Sequence, residues 1–168
     1  VISMGINFMR NCAKFNSELV LPNTLVSIGP RFLSDCVLFN NGYASSIPST
    51  RTFIIPNSVT DPLVEFLYGC SAFNVDISIS NSVTMLDGFM QDCSSFDKAL
   101  TVPDSVIDIN DHFLSGCSGI SWKRITLPDH IEHITSYFMD GASGRVYIDL
   151  PSQLKTIGDS FFADATST

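Results

Sequence analysis

Residues 21–36 read LPNTLVSIGPRFLSDC, and recognisable copies of this stretch return further along the chain. One copy is VPDSVIDINDHFLSGCSGI at 102–120, and another is LPSQLKTIGDSFFADA at 150–165. In each copy a proline is followed by two apolar positions three residues apart, then by phenylalanine and, four residues later, by a small residue. A unit this short cannot bury an apolar face alone. The sequence therefore predicts stacked copies that form a solenoid.

The phenylalanine register extends this repeat over the whole chain. A cysteine follows phenylalanine by four residues five times, and an alanine takes its place twice, at Phe8/Cys12, Phe32/Cys36, Phe66/Cys70, Phe89/Cys93, Phe113/Cys117, Phe138/Ala142 and Phe161/Ala165. The period is about 23 residues, with one insertion between Pro22 and Pro56. These occurrences predict about seven coils, with units starting near residues 1, 22, 56, 80, 103, 128 and 151.

Each unit is predicted to hold two short extended pieces and one helical turn. Apolar residues two apart, such as Phe53 and Ile55, precede each proline and indicate a strand. The paired apolar positions after the proline indicate a second extended piece. Phe32, Cys36 and Phe39 are spaced i, i+4 and i+7, which predicts one face of a short helix. The predicted fold class is an α/β repeat solenoid, with parallel strands on one face and short helical turns on the other.

The three quoted stretches resemble the BspA-type leucine-rich repeat, and the resemblance covers essentially the whole chain. The departures are Pro62 in the second apolar position, Ser80 in the proline position, and Ala142 and Ala165 in the cysteine position. The resemblance implies a non-enzymatic interaction or adhesion module of a microbial protein that is secreted or held at the cell surface. Its implied partner is a protein or cell-surface ligand, such as a host matrix protein.

Charge and hydropathy exclude other classes of partner. The 168 residues carry a formal net charge of −8 with a pI near 4.5, and such a field repels nucleic acid. Uninterrupted apolar stretches fall short of the ~18 residues that a membrane span needs, so we expect no membrane insertion. Val1 and Thr168 both fall inside a unit. We therefore expect a single solenoid segment, 1–168, from a longer array, with end-to-end contact to further repeats.

No catalytic, cofactor-binding or metal-binding residues are predicted. The five cysteines follow the repeat spacing and match no zinc motif, which predicts small buried residues with free thiols. His130 and His133 occupy variable positions of the repeat, which predicts a solvated surface. Weak calcium binding at the aspartate-rich turns is the remaining alternative.

The insertion is the first candidate partner-binding surface. Residues 40–51 read NNGYASSIPSTR, a composition typical of a loop. Tyr43, Ile47 and Arg51 give this loop an aromatic, an apolar and a cationic group, which favours contact with a partner. The alternative is a tolerated excursion of the surface.

Trp122, Lys123 and Arg124 form the second candidate surface. Trp122 is the only tryptophan of the chain and lies just before a predicted strand. Tryptophan and arginine are enriched in binding hot spots. The alternative is that Trp122 packs over the edge of that strand.

The third candidate surface is the outward row of the strands that precede the prolines. Its members are small or β-branched for the most part, and they are Val20, Ile54, Ser78, Thr101, Thr126 and Asp149. Such a row suits a flat protein or glycan contact, and Val20, Ile54, Thr101 and Thr126 are its predicted partner-binding residues. The alternative function is an architectural spacer in a fibre, surface layer or virion. A polysaccharide-cleaving enzyme is disfavoured because clustered carboxylates on one strand face are missing.

Overall fold

A computed structural model describes residues 2–42, 51–143 and 145–163. These residues contain twelve short strands. In chain order, β1 to β12 are Ile2–Met4, Leu25–Ile28, Thr52–Ile54, Leu63–Val64, Asp76–Ser78, Met85–Asp87, Leu100–Thr101, Asp108–Ile109, Arg124–Thr126, His133–Ile134, Tyr147–Asp149 and Thr156–Ile157.

The strands form two parallel ladders, and every pairing joins segments one repeat apart. Ladder I holds the strands that lead to the proline position, paired as β3–β5 and β7–β9–β11. Ladder II holds the strands after that position, paired as β1–β2, β4–β6–β8 and β10–β12. Alternate residues of a strand point to opposite faces. Phe53 and Ile125 therefore enter the core from ladder I while their neighbours face outward.

A tight turn at the proline position separates the two ladders in each coil. The carbonyl of Pro56 accepts the N–H of Val59 at 2.9 Å, and Pro22, Pro103, Pro128 and Pro151 make the equivalent bond. Proline has no N–H to lose at this point and its fixed φ favours a turn. Ser80 replaces proline once, and its buried hydroxyl donates to the Val59 carbonyl of the preceding coil at 2.7 Å. The chain direction therefore changes at the same place in every coil.

The predicted helical turns are wrong, because the described residues contain no helix. Two residues four apart adopt left-handed φ in six successive coils of the described chain, for example Arg31 and Asp35 at 61°. A right-handed helix cannot pass through such residues. Their N–H groups instead donate to the next coil: Arg31 to Val64 at 2.9 Å and Asp35 to Tyr68 at 2.7 Å. The segment that holds these residues, such as residues 31–39, is called the turn side below. Its consecutive tight turns place residues i, i+4 and i+7 toward the core, as a helix would.

Two columns of phenylalanine fill the core. The longer one stacks Phe8, Phe32, Phe66, Phe89, Phe113, Phe138 and Phe161, with successive centroids 5.1–6.1 Å apart. The shorter one stacks Phe15, Phe39, Phe73 and Phe96 at 5.5–6.2 Å. Aromatic pairs add about 0.5–1.5 kcal/mol each beyond the area that they bury. The columns therefore stabilise each coil through contacts with its neighbours, which an isolated coil would lack.

The solenoid has about six turns, and the prediction of seven coils is wrong. Seven ladder II segments, from β1 to β12, delimit six repeat intervals, so counting motif occurrences overstates the turns by one. The strand predicted at 19–21 is also missing. There the N–H of Leu19 donates to the side chain of Asn41 at 2.8 Å. Pro62 does not fill an apolar position; Leu63 takes it, buried and paired with Leu86.

The cysteines form a ladder of thiols inside the turn side. Four of the five thiols donate to a carbonyl of the preceding coil: Cys36 to Met9 at 2.9 Å, Cys70 to Leu33 at 3.1 Å, Cys93 to Leu67 at 3.2 Å and Cys117 to Met90 at 3.1 Å. All five cysteines are free, and all but Cys12 are buried. Burial raises the pKa of Cys117 to about 12, so the buried thiol stays neutral and keeps its proton for the bond.

This ladder predicts different costs for two substitutions at one position. Cys93→Ala removes one hydrogen bond from a carbonyl that Cys70 N–H still satisfies, so a loss of about 1 kcal/mol is expected. Cys93→Asp places an unpaired carboxylate among apolar side chains and should lower the free energy of unfolding by several kcal/mol. Thermal unfolding followed by circular dichroism measures both. Equal melting curves for the two variants would contradict the assignment of Cys93 to the buried core.

Gly116 and Gly141 offer a matched test of packing on the turn side. Both residues have left-handed φ, at 73° and 70°. A Cβ at Gly116 would overlap the Asp92 carboxylate, whereas a Cβ at Gly141 would meet only Gly116 backbone at 3.8 Å. Gly141→Ala should cost about 1 kcal/mol from φ alone, and Gly116→Ala should cost more. Adding Asp92→Ala removes the carboxylate overlap and should recover most of the difference, while the Asp92 Cα at 3.2 Å keeps Gly116→Ala somewhat costlier than Gly141→Ala. Chemical denaturation would contradict this account if the two glycine variants were equally stable.

Candidate functional site

The outward face of ladder I carries the strand side chains that do not enter the core. In β9 and β11, Ile125 and Ile148 point inward while their neighbours face outward. Parallel pairing places Arg124 opposite Tyr147 and Thr126 opposite Asp149. Thr101 of β7 lies opposite Thr126, so the row continues toward the earlier coils. This surface is called the ladder I face below.

An aromatic–arginine cluster lies at the later end of the ladder I face. It consists of Trp122, Arg124, Arg145, Tyr147 and Asp149. The N–H of Trp122 donates to the carbonyl of Arg145 at 2.6 Å, which extends the pairing of the two coils beyond their strands. The Arg145 guanidinium lies 4.8 Å from the centre of the Trp122 ring, and the Trp122 and Tyr147 centroids are 6.4 Å apart.

Arg124 and Asp149 form the polar side of this cluster. Nη1 of Arg124 lies 2.5 Å from both oxygens of the Asp149 carboxylate. The hydrogen bond to Asp149 raises the pKa of Arg124 above its ordinary value. Both side chains stay exposed, so the pair orients the guanidinium and adds little to stability.

The backbone of Trp122 is strained. Its φ is 56°, a left-handed conformation that costs a residue with a Cβ about 1–2 kcal/mol. The side chain does not recover this cost by burial, because 58% of the residue is exposed. Sequence reasoning singled out Trp122 by its rarity, but the strain and the contact with Arg145 have no signal in the sequence.

Lys123 points away from the cluster. Its Nζ lies 3.3 Å from Asp97, whose side chain also accepts the N–H of Ser121 at 3.0 Å. Asp97 ends a series in which a side-chain oxygen accepts an N–H of the next coil, and Asn40 and Asn74 precede it. Lys123 therefore contacts a structural element of the coil stack.

Val20 and Ile54 form an exposed apolar patch at the earlier end of the ladder I face. Val20 is 76% exposed and Ile54 is 57% exposed. Both line a shallow cleft of about 240 Å³, together with Asn41 and Thr52. A second cleft of about 410 Å³ adjoins Ile54 and continues past Ser78. Thr101 and Thr126 separate this patch from the aromatic–arginine cluster, with Thr101 exposed and Thr126 half-buried.

The insertion begins and ends beside this apolar patch. Tyr43 and Ile47 lie outside the described residues, so the structure gives no position for them. Arg51 is described, and its guanidinium lies 3.2 Å from Glu18 and donates to the Asn41 carbonyl at 3.3 Å. Asn41 is buried and holds Leu19 through its side chain, a structural role that sequence reasoning missed.

The two histidines that drew attention in the sequence do not come together as a site. His130 is half-buried, contrary to the predicted solvated surface, and its Nε2 lies 2.8 Å from the Val106 carbonyl. Ser105 makes the equivalent bond one coil earlier, to Val83 at 2.7 Å. His133 is exposed, with Nδ1 2.7 Å from the Thr156 hydroxyl. Within the described ranges, His, Cys, Asp and Glu form no group of three or more able to hold a metal ion.

The fold and its repeated contacts define a β-solenoid repeat protein. The chain belongs to the BspA-type leucine-rich repeat family: the model of that family, the BspA type leucine-rich repeat region, matches in six copies, over residues 1–120 and 86–168. Repeats of this family are generally protein-interaction modules. A comparison with curated proteins finds no match.

Among solved structures, a leucine-rich repeat protein from Bacteroides ovatus is similar to this chain. The TM-score is 0.66 at 19% sequence identity, and the match covers 95% of this chain and 43% of that chain. The likeness shows a shared fold, and this chain spans less than half the length of that relative. In the part of the chain that the structure describes, no helix is long and apolar enough to cross a membrane.

Proposed function

We propose that this chain is a non-enzymatic recognition module of a microbial protein that is secreted or displayed at the cell surface. Its ladder I face binds another protein, and the patch of Val20 and Ile54 is the centre of that contact. Membership of the BspA-type leucine-rich repeat family supports a protein partner. The proposed partner is a protein or cell-surface ligand, and a host matrix protein is the class that we propose to test first.

The observation that carries this proposal is the exposed pair Val20 and Ile54. A sheet face that contacts only water is expected to carry polar side chains, as Asp76 and Ser78 do in the next coil. The pair instead presents branched apolar groups beside two shallow clefts. Burying them against a partner is favourable by about 25 cal/mol per Å² of apolar area.

The insertion adds contact area to the same patch. Asn41 and Thr52, which flank the insertion, both line the cleft that holds Val20. The ion pair of Arg51 with Glu18 and the hydrogen bonds of Asn41 anchor both stems. Anchored stems let a loop vary in sequence without changing the solenoid beneath it.

Ile54→Asp tests the patch, and Ile107→Asp is its matched control. Ile107 is 60% exposed and lies before β8, away from ladder I. Binding to an immobilised panel of purified host matrix proteins would be measured by surface plasmon resonance. We expect Ile54→Asp to weaken binding at least thirty-fold, the loss typical of a hot-spot residue (about 2 kcal/mol), while Ile107→Asp leaves it unchanged. Both variants should melt like the parent chain.

Equal affinities for the two aspartate variants would place the contact elsewhere, and a panel without any binder would reject the matrix-adhesion role. The architectural alternative gives a different signature. It predicts concentration-dependent association of the chain with itself in sedimentation velocity, unaffected by Ile54→Asp.

Replacing residues 43–50 by a short Gly-Ser linker tests the insertion separately. Asn41, Gly42 and Arg51 are retained, because deleting Asn41 would release the N–H of Leu19. We expect affinity for the bound matrix protein to fall about ten-fold or more without a change in melting temperature. Unchanged affinity would confine the contact to the sheet face.

A further inference from the structure

We propose that the aromatic–arginine cluster is a second binding site, for a sugar ring that carries a single carboxylate group. The cluster lies three ladder strands along from Ile54, on β9 and β11. It shares no residue with the patch of Val20 and Ile54, so it does not depend on the proposed protein contact.

The two aromatic rings supply a stacking surface. Trp122 is 58% exposed and Tyr147 is 49% exposed, and their planes are tilted by 45°. The face of an aromatic ring carries negative charge density, which attracts the slightly positive C–H groups on one face of a pyranose. A flat sugar ring therefore suits this surface better than a branched aliphatic side chain, which needs a pocket.

Arg145 supplies the charge that selects an acidic sugar. Its guanidinium lies over the Trp122 ring, and within the described residues it makes no ion pair with a carboxylate. Arg51, Lys123 and Arg124 each have a carboxylate within 3.3 Å. An arginine fork binds a carboxylate through two parallel hydrogen bonds. Because the guanidinium covers one face of the Trp122 ring, the sugar would stack on the exposed Tyr147 ring and the uncovered part of Trp122, with its carboxylate directed at the guanidinium.

Arg124 and Asp149 complete the site with groups for sugar hydroxyls. Nη1 of Arg124 is engaged by the Asp149 carboxylate, which fixes the guanidinium plane. A guanidinium has five N–H donors and an ionised carboxylate has about four acceptor positions, so both groups keep capacity for a ligand. A neighbouring donor and acceptor match a hydroxyl, which both donates and accepts.

The backbone at Trp122 is a second and independent observation. A left-handed tryptophan that stays exposed is unfavourable for folding, yet its N–H is held by the Arg145 carbonyl. Left-handed residues recur at paired positions on the turn side as part of the fold, but Trp122 lies outside those positions, and its left-handed φ presents the ring beside Arg145. The same bond brings the Arg145 backbone beside Trp122, so ring and guanidinium are positioned together.

The charge of the chain limits the ligand to one carboxylate. A net charge of −8 repels polyanions such as nucleic acid or a heavily sulfated glycan. A ligand with a single carboxylate can contact Arg145 while it experiences less repulsion from the net charge than an extended polyanion does. Its binding should therefore depend only weakly on salt.

The test compares 3′-sialyllactose with lactose, which has the same neutral disaccharide and no carboxylate, and adds methyl glucuronide as a second acidic probe. Two-dimensional amide NMR of the labelled chain would report binding and its location. We expect an acidic sugar to shift the amides of Trp122, Arg145 and Tyr147, with lactose at least ten-fold weaker. Trp122→Ala should abolish the shifts. Arg145→Gln should remove the preference for the acidic sugar.

Two further variants separate a lost site from a lost fold. Trp122→Gly removes the ring but accepts left-handed φ, so it should lose sugar binding without a lower melting temperature. Ile54→Asp should leave sugar binding unchanged while it weakens the protein contact, so the two proposals fail separately. The site is rejected if neither acidic sugar shifts these amides or if lactose binds equally well. Tighter binding of a glutamate-rich hexapeptide than of both sugars would reassign the cluster to a protein partner.

Discussion

Hydrogen bonding between neighbouring coils is the constraint on which this structure depends. Strands of two to four residues are too short to be stable alone, and the turn side contains left-handed residues that interrupt local structure. Both are held because their N–H groups donate to the coil one repeat away, as the left-handed Asp35 does to Tyr68 at 2.7 Å. The phenylalanine columns and the thiol ladder add side-chain contacts in the same direction. Stability therefore accumulates along the stack, and each coil depends on its neighbours.

This dependence explains what the sequence could predict. The repeat identifies the positions that must match between coils, so the solenoid, the proline turns, the strands before the proline position in every coil but that of Pro22, and the burial of four of the five cysteines were accessible from spacing. The helical turns were not, because Phe32, Cys36 and Phe39 keep the same spacing in a helix and in consecutive tight turns. The difference lies in the paired left-handed residues: one of the two is glycine in four coils, at Gly69, Gly88, Gly116 and Gly141, whereas residues such as Arg31 give no such conformational signal.

The candidate sites were predictable only in part, for a related reason. Outward residues such as Val20 and Ile54 follow from alternation along a strand, and the structure places them beside each other. The cluster around Trp122 depends on Arg145, 23 residues away in sequence, and on a backbone conformation that no pattern encodes. Asn41 shows the opposite error, since a residue assigned to the inserted loop is buried and structural. Contacts between coils at positions outside the repeat are what sequence reasoning cannot supply.

Departures from the repeat consequently fall into two kinds. Ser80 and Leu63 depart from the pattern but restore a buried contact, so each is explained by the core. Trp122 departs from it without entering the core: its N–H bonds the Arg145 carbonyl and its ring lies beside the Arg145 guanidinium, yet its backbone is left-handed and its ring stays exposed. In a fold where every coil can be built from the same inward residues, an outward departure of this kind is not needed for folding. The physical distinction is whether the departing side chain is covered inside the protein, and the Trp122 ring is left largely exposed for the ligand that we propose.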